Sequence, residues 1–180
     1  MALRGRTKLP ERGGIFFVTT SFNGRRKLLH NKTYYEIIVT SLEHLRKKYG
    51  FEIWTYVLMP SHLHLVIAFP RENSLSAAMR DFKKYTAYKL RKLMEAEGRH
   101  ETLEELRHPD RRTSRFRIWE PRFDDVMIYS PKVLQTKVDY IHTNPVRAGL
   151  CSDPRDWPYS SARGQAGGTS ALTVDSFSFI

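Results

Sequence analysis

The sequence predicts an α+β fold in which about four antiparallel strands carry amphipathic helices packed on one side. Three observations lead to it. Short runs rich in β-branched and aromatic residues alternate with longer segments of helical period. Two of those strand-like runs are joined by only Met59-Pro60-Ser61, too short for a crossover, so they pair antiparallel. The chain has 180 residues, 41% of them hydrophobic, which suits one domain with its own core.

Residues 1–13 form a basic arm carrying Arg4, Arg6, Lys8 and Arg12. Ile15-Phe16-Phe17-Val18-Thr19-Thr20 follows a glycine pair and reads as the first strand. Asn23-Gly24 is a turn that opens into the basic cluster Arg25-Arg26-Lys27. From about Thr33 to Tyr49, Ile37, Ile38, Ser41, Leu42 and Leu45 recur at helical spacing. Arg46-Lys47-Lys48 suit the negative end of that helix dipole, and Gly50 stops it. Phe51 to Leu58 is a second strand, and proline at the break after it avoids the ladder. Asn73-Ser74 caps a long helix with the stripe Leu75, Ala78, Met79, Phe82, Tyr85, Thr86, Leu90 and Leu93. Residues 98–117 lack a clean period and read as a mobile segment with one short helical piece. Phe123 to Ile128 is a fourth strand, and Ser130-Pro131 pairs an N-cap serine with proline at the first helical position. Pro145 should end this last helix at Asn144. Beyond Arg163, Gly164, Gly167 and Gly168 suggest a loose tail over 162–180, which Phe177 and Phe179 can dock.

Charge narrows the function. Lys and Arg total 30 against 19 Asp and Glu, a formal net charge of +11. Such a surplus points to a polyanion, above all nucleic acid. No apolar run approaches a membrane-spanning length, and the N-terminus lacks an apolar signal core, so a cytoplasmic protein is expected. Cys151 is the single cysteine, which excludes an internal disulfide and a thiolate metal cage.

Chemistry concentrates in two places. In a strand, His62 and His64 share one face while Leu63, Leu65, Ile67 and Phe69 line the other. Two imidazoles on one face can grip a divalent cation. One buried and one exposed histidine in a half-buried strand explain the spacing equally well. On the last helix, Leu134, Val138 and Ile141 form the apolar face, Tyr140 and Asn144 stack one turn apart on its flank, and His142 points almost opposite to them. A core-edge tyrosine and a capping asparagine would look the same.

Together these blocks resemble the HUH single-tyrosine transposases, and most closely the REP-associated tyrosine transposases. The blocks are Gly14-Ile15-Phe16-Phe17-Val18-Thr19, Leu58-Met59-Pro60-Ser61-His62-Leu63-His64, Ile118-Trp119-Glu120-Pro121-Arg122-Phe123, Val138 to Leu150 with Tyr140-Ile141 and Asn144-Pro145-Val146, and Asp156-Trp157-Pro158-Tyr159-Ser160-Ser161. They stand in the family's order over roughly residues 14–161, between the arm and the tail. The resemblance implies a ferredoxin-like catalytic domain with its site where the histidine strand faces the last helix. It implies Tyr140 as the nucleophile and His62, His64 and Asn144 as ligands of Mg²⁺ or Mn²⁺. It also implies hairpin-forming single-stranded DNA of mobile or repetitive palindromic elements as substrate, and a monomer or homodimer associated with the nucleoid.

Tyrosine is a weak nucleophile while protonated, with a pKa near ~10. A cation on a phosphate oxygen makes phosphorus more electrophilic. Attack by Tyr140 leaves a 5′-phosphotyrosine and a free 3′-hydroxyl, and the reverse reaction rejoins ends without ATP. Backbone contacts to DNA are expected from Arg25, Arg26, Lys27, Lys83, Lys84, Arg111, Arg112, Arg115, Arg117 and Arg122, with Trp119 stacking on bases. Two rivals remain at this point: a domesticated hairpin-binding protein that does not cut, and a metal-dependent hydrolase that forms no covalent intermediate.

Overall fold

A computed structural model describes residues 12–72, 74–108, 116–165 and 167–176. In chain order it contains β1 (Arg12–Ser21), α1 (Lys32–Tyr49), β2 (Glu52–Met59), β3 (His62–Glu72), α2 (Leu75–Ala96), α3 (His100–Glu105), β4 (Asp124–Ile128), α4 (Pro131–Arg147) and α5 (Ser161–Gln165). The four strands form one antiparallel sheet in the order β2-β3-β1-β4. This is the expected ferredoxin-like arrangement, with β1 and β2 parallel to each other on either side of β3.

The helices pack on both faces of the sheet, not on one. Alternation along the central strands explains it. Phe16 and Val18 of β1 and Leu63, Leu65, Ile67 and Phe69 of β3 join a core with α1 and α2. The intervening Phe17, Val66 and Ala68, with Val57 and Met59 of β2, are also apolar and need their own cover. Leu134, Val138 and Ile141 of α4 supply that second layer, which brings the last helix over the histidine face.

The expected helix signals mostly hold. Asn31 caps α1 by accepting from the Tyr34 N–H at 3.3 Å, and Gly50 ends it in the left-handed region at φ 63°. Ser130 accepts from Val133 N–H at 3.3 Å to open α4. Ser74 precedes α2 without a side-chain cap bond, and Asn73 lies outside the described residues. Tyr85, placed on the apolar stripe of α2, is instead 50% exposed; Thr86, Leu90 and Met94 carry the buried face. Residues 100–105 form the short helix expected in the aperiodic segment, and Arg107 bridges Phe116 after it.

Two boundaries differ from the sequence reading. Proline 145 does not end α4, which runs on to Arg147. Its missing N–H removes one bond near the end of the helix, while Ala148 N–H still reaches the Asn144 carbonyl at 3.0 Å and Gly149 at φ 69° makes the stop. The tail is pinned, not loose, as far as residue 176. Leu172 is buried and its N–H donates to the Tyr56 hydroxyl at 2.9 Å. Asp175 accepts from Arg46 and from the Ile53 N–H at 2.9 Å, closing the end of β2. Phe177 and Phe179 lie outside the described residues.

Candidate functional site

The site forms where α4 crosses the histidine end of β3. β3 sends both imidazoles to the α4 side because residues 62 and 64 differ by the strand period. Their ring centroids are 4.8 Å apart. The turn at Pro60-Ser61 fixes the end of the strand, with the Ser61 hydroxyl 2.9 Å from His62 Nδ1. In the β1–β3 register Thr19 stands opposite His64, and its hydroxyl lies 2.8 Å from His64 Nδ1. Phe17, one strand period away on β1, stacks on the His64 ring at 5.5 Å.

α4 adds the phenol and the amide from the same chain. The Tyr140 ring meets His64 edge-on, with centroids 5.1 Å apart and planes at 75°. It also contacts Phe17 at 6.0 Å, yet remains 37% exposed, so one side faces solvent. Because the helix continues through Pro145, Asn144 keeps its place one turn below Tyr140, and its side chain hydrogen-bonds His62. Arg147 holds its guanidinium 5.7 Å from the Tyr140 ring centroid. His142 points away on the other flank of α4, bonded to Thr55 Oγ1 at 3.1 Å and Ser161 Oγ at 2.9 Å.

The electrostatics favour neutral imidazoles. Burial pushes His64 down to about 3, with His62, Arg25 and Lys137 adding repulsion. Burial also lowers His62, followed by Arg25, while the Asn144 hydrogen bond opposes both. Neutral imidazoles are the form that ligates a metal. His64 Nε2 is buried and meets no hydrogen-bond partner among the described residues. Such an orphaned nitrogen is costly unless something takes its lone pair. In the tautomer whose Nδ1–H donates to Thr19, the Nε2 lone pair is left for a cation. No cluster of three or more His, Cys, Asp or Glu exists among the described residues; the donor set here is two imidazoles and one amide. These residues fit a divalent cation that tolerates nitrogen and keeps open positions.

The expected DNA contacts divide. Arg25 lies close enough to the histidines to depress both. Arg26 is engaged with Glu105 at 2.9 Å and the Asn23 carbonyl at 3.2 Å, while Lys27 and Lys84 are exposed. Lys83 is turned inward, donating to the Glu120 and Arg122 carbonyls at 2.8 Å each, and burial lowers it to about 8. Arg117 bonds His108, and Arg122 is exposed. Trp119 does not present a face to a base. It is 6% exposed, stacked on Phe22 at 4.1 Å, with its N–H donating to Thr86 Oγ1 at 2.9 Å. Flanking arginines made it resemble an edge residue, but the indole fills the core between β1 and α2. Arg111, Arg112 and Arg115 lie outside the described residues.

Sequence reasoning missed Thr19, Ser61 and Arg147 as neighbours of the site. Thr19 was within reach: once β1 and β3 are paired antiparallel, a threonine on the Phe17 face must lie near a histidine. No helix of the described residues is long and apolar enough to cross a membrane.

Comparison with known proteins shows the family of the chain. A family model described as "Transposase IS200 like" matches residues 16–142. The chain is 28% identical over 151 residues to the REP-associated tyrosine transposase of Escherichia coli K12, covering 83% of this chain and 77% of the relative. A Haemophilus influenzae relative whose name carries the same words is 29% identical over 153 residues, covering 83% and 80%. Among solved structures, a REP-associated tyrosine transposase bound to a REP hairpin superposes with a TM-score of 0.68 at 25% identity, over 100% of this chain and 95% of that one.

Proposed function

From the premise that this chain belongs to the IS200-like transposase family, we propose that it nicks and rejoins hairpin-forming single-stranded DNA through a 5′-phosphotyrosine on Tyr140. Its general role is DNA processing by a transposase. The relative bound to a REP hairpin supports a palindromic repeat as the substrate class. One observation carries the finer reading: the Tyr140 phenol stands beside its own chain's histidine pair, 5.1 Å from His64 between ring centroids.

In this reading residues 14–161 are the catalytic domain, and one copy of the chain holds a complete site. His62, His64 and Asn144 would hold Mg²⁺ or Mn²⁺, which would withdraw charge from a phosphate oxygen. Tyr140 Oη gives up its proton and attacks phosphorus in line, the P–O3′ bond breaks, and the leaving oxygen takes up a proton to become a 3′-hydroxyl. The new P–Oη bond keeps the energy of the old one, so an incoming 3′-hydroxyl reverses the step and releases Tyr140. Arg25 and Arg147 bring positive charge to the phosphate. Thr19 and Ser61 hold the imidazoles in one orientation. In this reading the chain works in the cytoplasm, on nucleoid DNA.

The test is to mix hairpin DNA carrying a single-stranded flank with the protein and Mg²⁺ or Mn²⁺, then look for a denaturation-resistant protein–DNA adduct. Wild type forms it; Tyr140→Phe binds the DNA and forms none. Cutting by Tyr140→Phe at the wild-type rate overturns the nucleophile. Water-derived ends without adduct indicate a hydrolase, and tight binding without any cut indicates a domesticated hairpin-binding protein.

A further inference from the structure

A pocket of about 430 Å³ opens at the end of the sheet where β2 turns into β3. That volume lies within the ~300–1,000 Å³ of ordinary ligand sites. Pro60 forms part of its wall, two residues before His62, and the next residue, Ser61, holds His62 Nδ1. The pocket is therefore continuous with the turn that aims the first histidine.

Its wall is aromatic and rigid. Tyr35 and Tyr159 stack face to face, 3.7 Å between centroids with planes at 4°, and Trp157 meets them edge-on at 6.3 and 6.1 Å. Tyr35 is buried behind the stack, while Tyr159 and Trp157 are half-exposed. Both are tied to the edge of β2. Trp157 N–H donates to the Leu58 carbonyl at 2.9 Å, and Leu58 N–H donates to the Tyr159 carbonyl at 2.8 Å. The rim carries two exposed lysines: Lys27, and Lys32, whose exposed ion pair with Glu36 at 3.5 Å can be exchanged for a phosphate; no carboxylate lines the pocket itself among the described residues. An aromatic wall under a lysine rim matches a base with its flanking phosphates, since the ring takes the π-face and the ammonium groups take the anions.

We propose that this pocket seats one unstacked base of the single-stranded DNA next to the bond that is cut, with Tyr159 and Trp157 against the base and Lys27 and Lys32 on the adjoining phosphates. The inference rests on the function proposed above for the identity of the polymer. It makes the segment 157–159, which touches neither Tyr140 nor the histidines in any contact described above, a determinant of where the strand is positioned.

The experiment uses full-length Tyr140→Phe protein, so that DNA is bound but not consumed. Hairpins with a single-stranded flank carry an abasic site at each flank position in turn, and affinity is read by fluorescence anisotropy. One position loses about tenfold on becoming abasic. Tyr159→Leu loses about the same on intact DNA and nothing more at that position. Tolerance of every abasic site within about twofold, or full abasic sensitivity retained in Tyr159→Leu, overturns the proposal. Should Tyr159→Leu fail to fold, the exposed Lys27→Glu change decides: it must weaken the flanked hairpin several-fold more than a blunt hairpin, and equal weakening overturns the pocket. Adduct formation by wild type is scored separately. An adduct without a sensitive position sinks the pocket alone, whereas a sensitive position without an adduct sinks the tyrosine chemistry and leaves the pocket standing.

Discussion

Thr19 and His64 face one another across the β1–β3 ladder, the threonine hydroxyl 2.8 Å from His64 Nδ1, while Nε2 of the same ring is buried without a partner among the described residues. Holding one nitrogen leaves the other with a single task. Thr19→Val keeps the shape of the side chain and deletes the bond. Expected is a ~10–100-fold loss of Mn²⁺ affinity by titration calorimetry, the usual effect of removing a partner behind a metal ligand. Unchanged affinity shows that Thr19 does not orient the ring.

Removing the cation separates binding from cutting. With excess chelator, adduct formation on hairpin DNA should disappear while the gel shift of the hairpin persists, and Mn²⁺ or Mg²⁺ should restore the adduct. His62→Ala/His64→Ala should behave as chelated wild type at every metal concentration. An adduct at normal rate in either case removes the cation from the reaction.

Acid should destabilise the metal-free protein through His64. Its folded value, about 3, lies below the ~6.5 of an unfolded histidine, so the unfolded chain takes up a proton first. The stability from keeping the ring neutral is whole above pH ~6.5 and is lost as pH falls towards 3. Melting curves from pH 7 to 4 should fall steeply, and His64→Gln should fall less, by roughly 2 kcal/mol between pH 6.5 and 5. Parallel curves for the two proteins refute the assignment.

Trp119 gives the converse test, of a residue that looked like a DNA contact. The indole stacks on Phe22 and bonds Thr86, so Trp119→Ala should cost about 3–5 kcal/mol in denaturant unfolding. Per folded molecule, hairpin affinity should stay within about twofold. A large affinity loss with little change in stability reverses that reading.

At the C-terminal end, Asp175→Ala removes an acceptor shared by Arg46 and the Ile53 N–H. Leaving the Ile53 N–H unpaired, while Arg46 keeps the Thr173 carbonyl and Glu43, should lower stability by ~1–3 kcal/mol and speed hydrogen exchange at Ile53. Protection unchanged at Ile53 shows that the tail does not hold the end of β2.

Features that depend on neighbours along the chain were legible in the order of residues. Alternation placed His62 and His64 on one face, helical spacing placed Tyr140 one turn from Asn144, and Ser130-Pro131 and Gly50 marked helix ends. Which surfaces meet is set by packing across the whole domain. Periodicity says that a face is apolar, not what covers it, so the second helical layer and the inward turn of Trp119 were hidden. The pairing of Thr19 with His64 depends on strand register, and the persistence of α4 through Pro145 depends on bonds made beyond it. The approach of Tyr140 to His64 joins residues 76 positions apart. It follows from Leu134, Val138 and Ile141 burying against β2 and β3, a contact that no local pattern encodes.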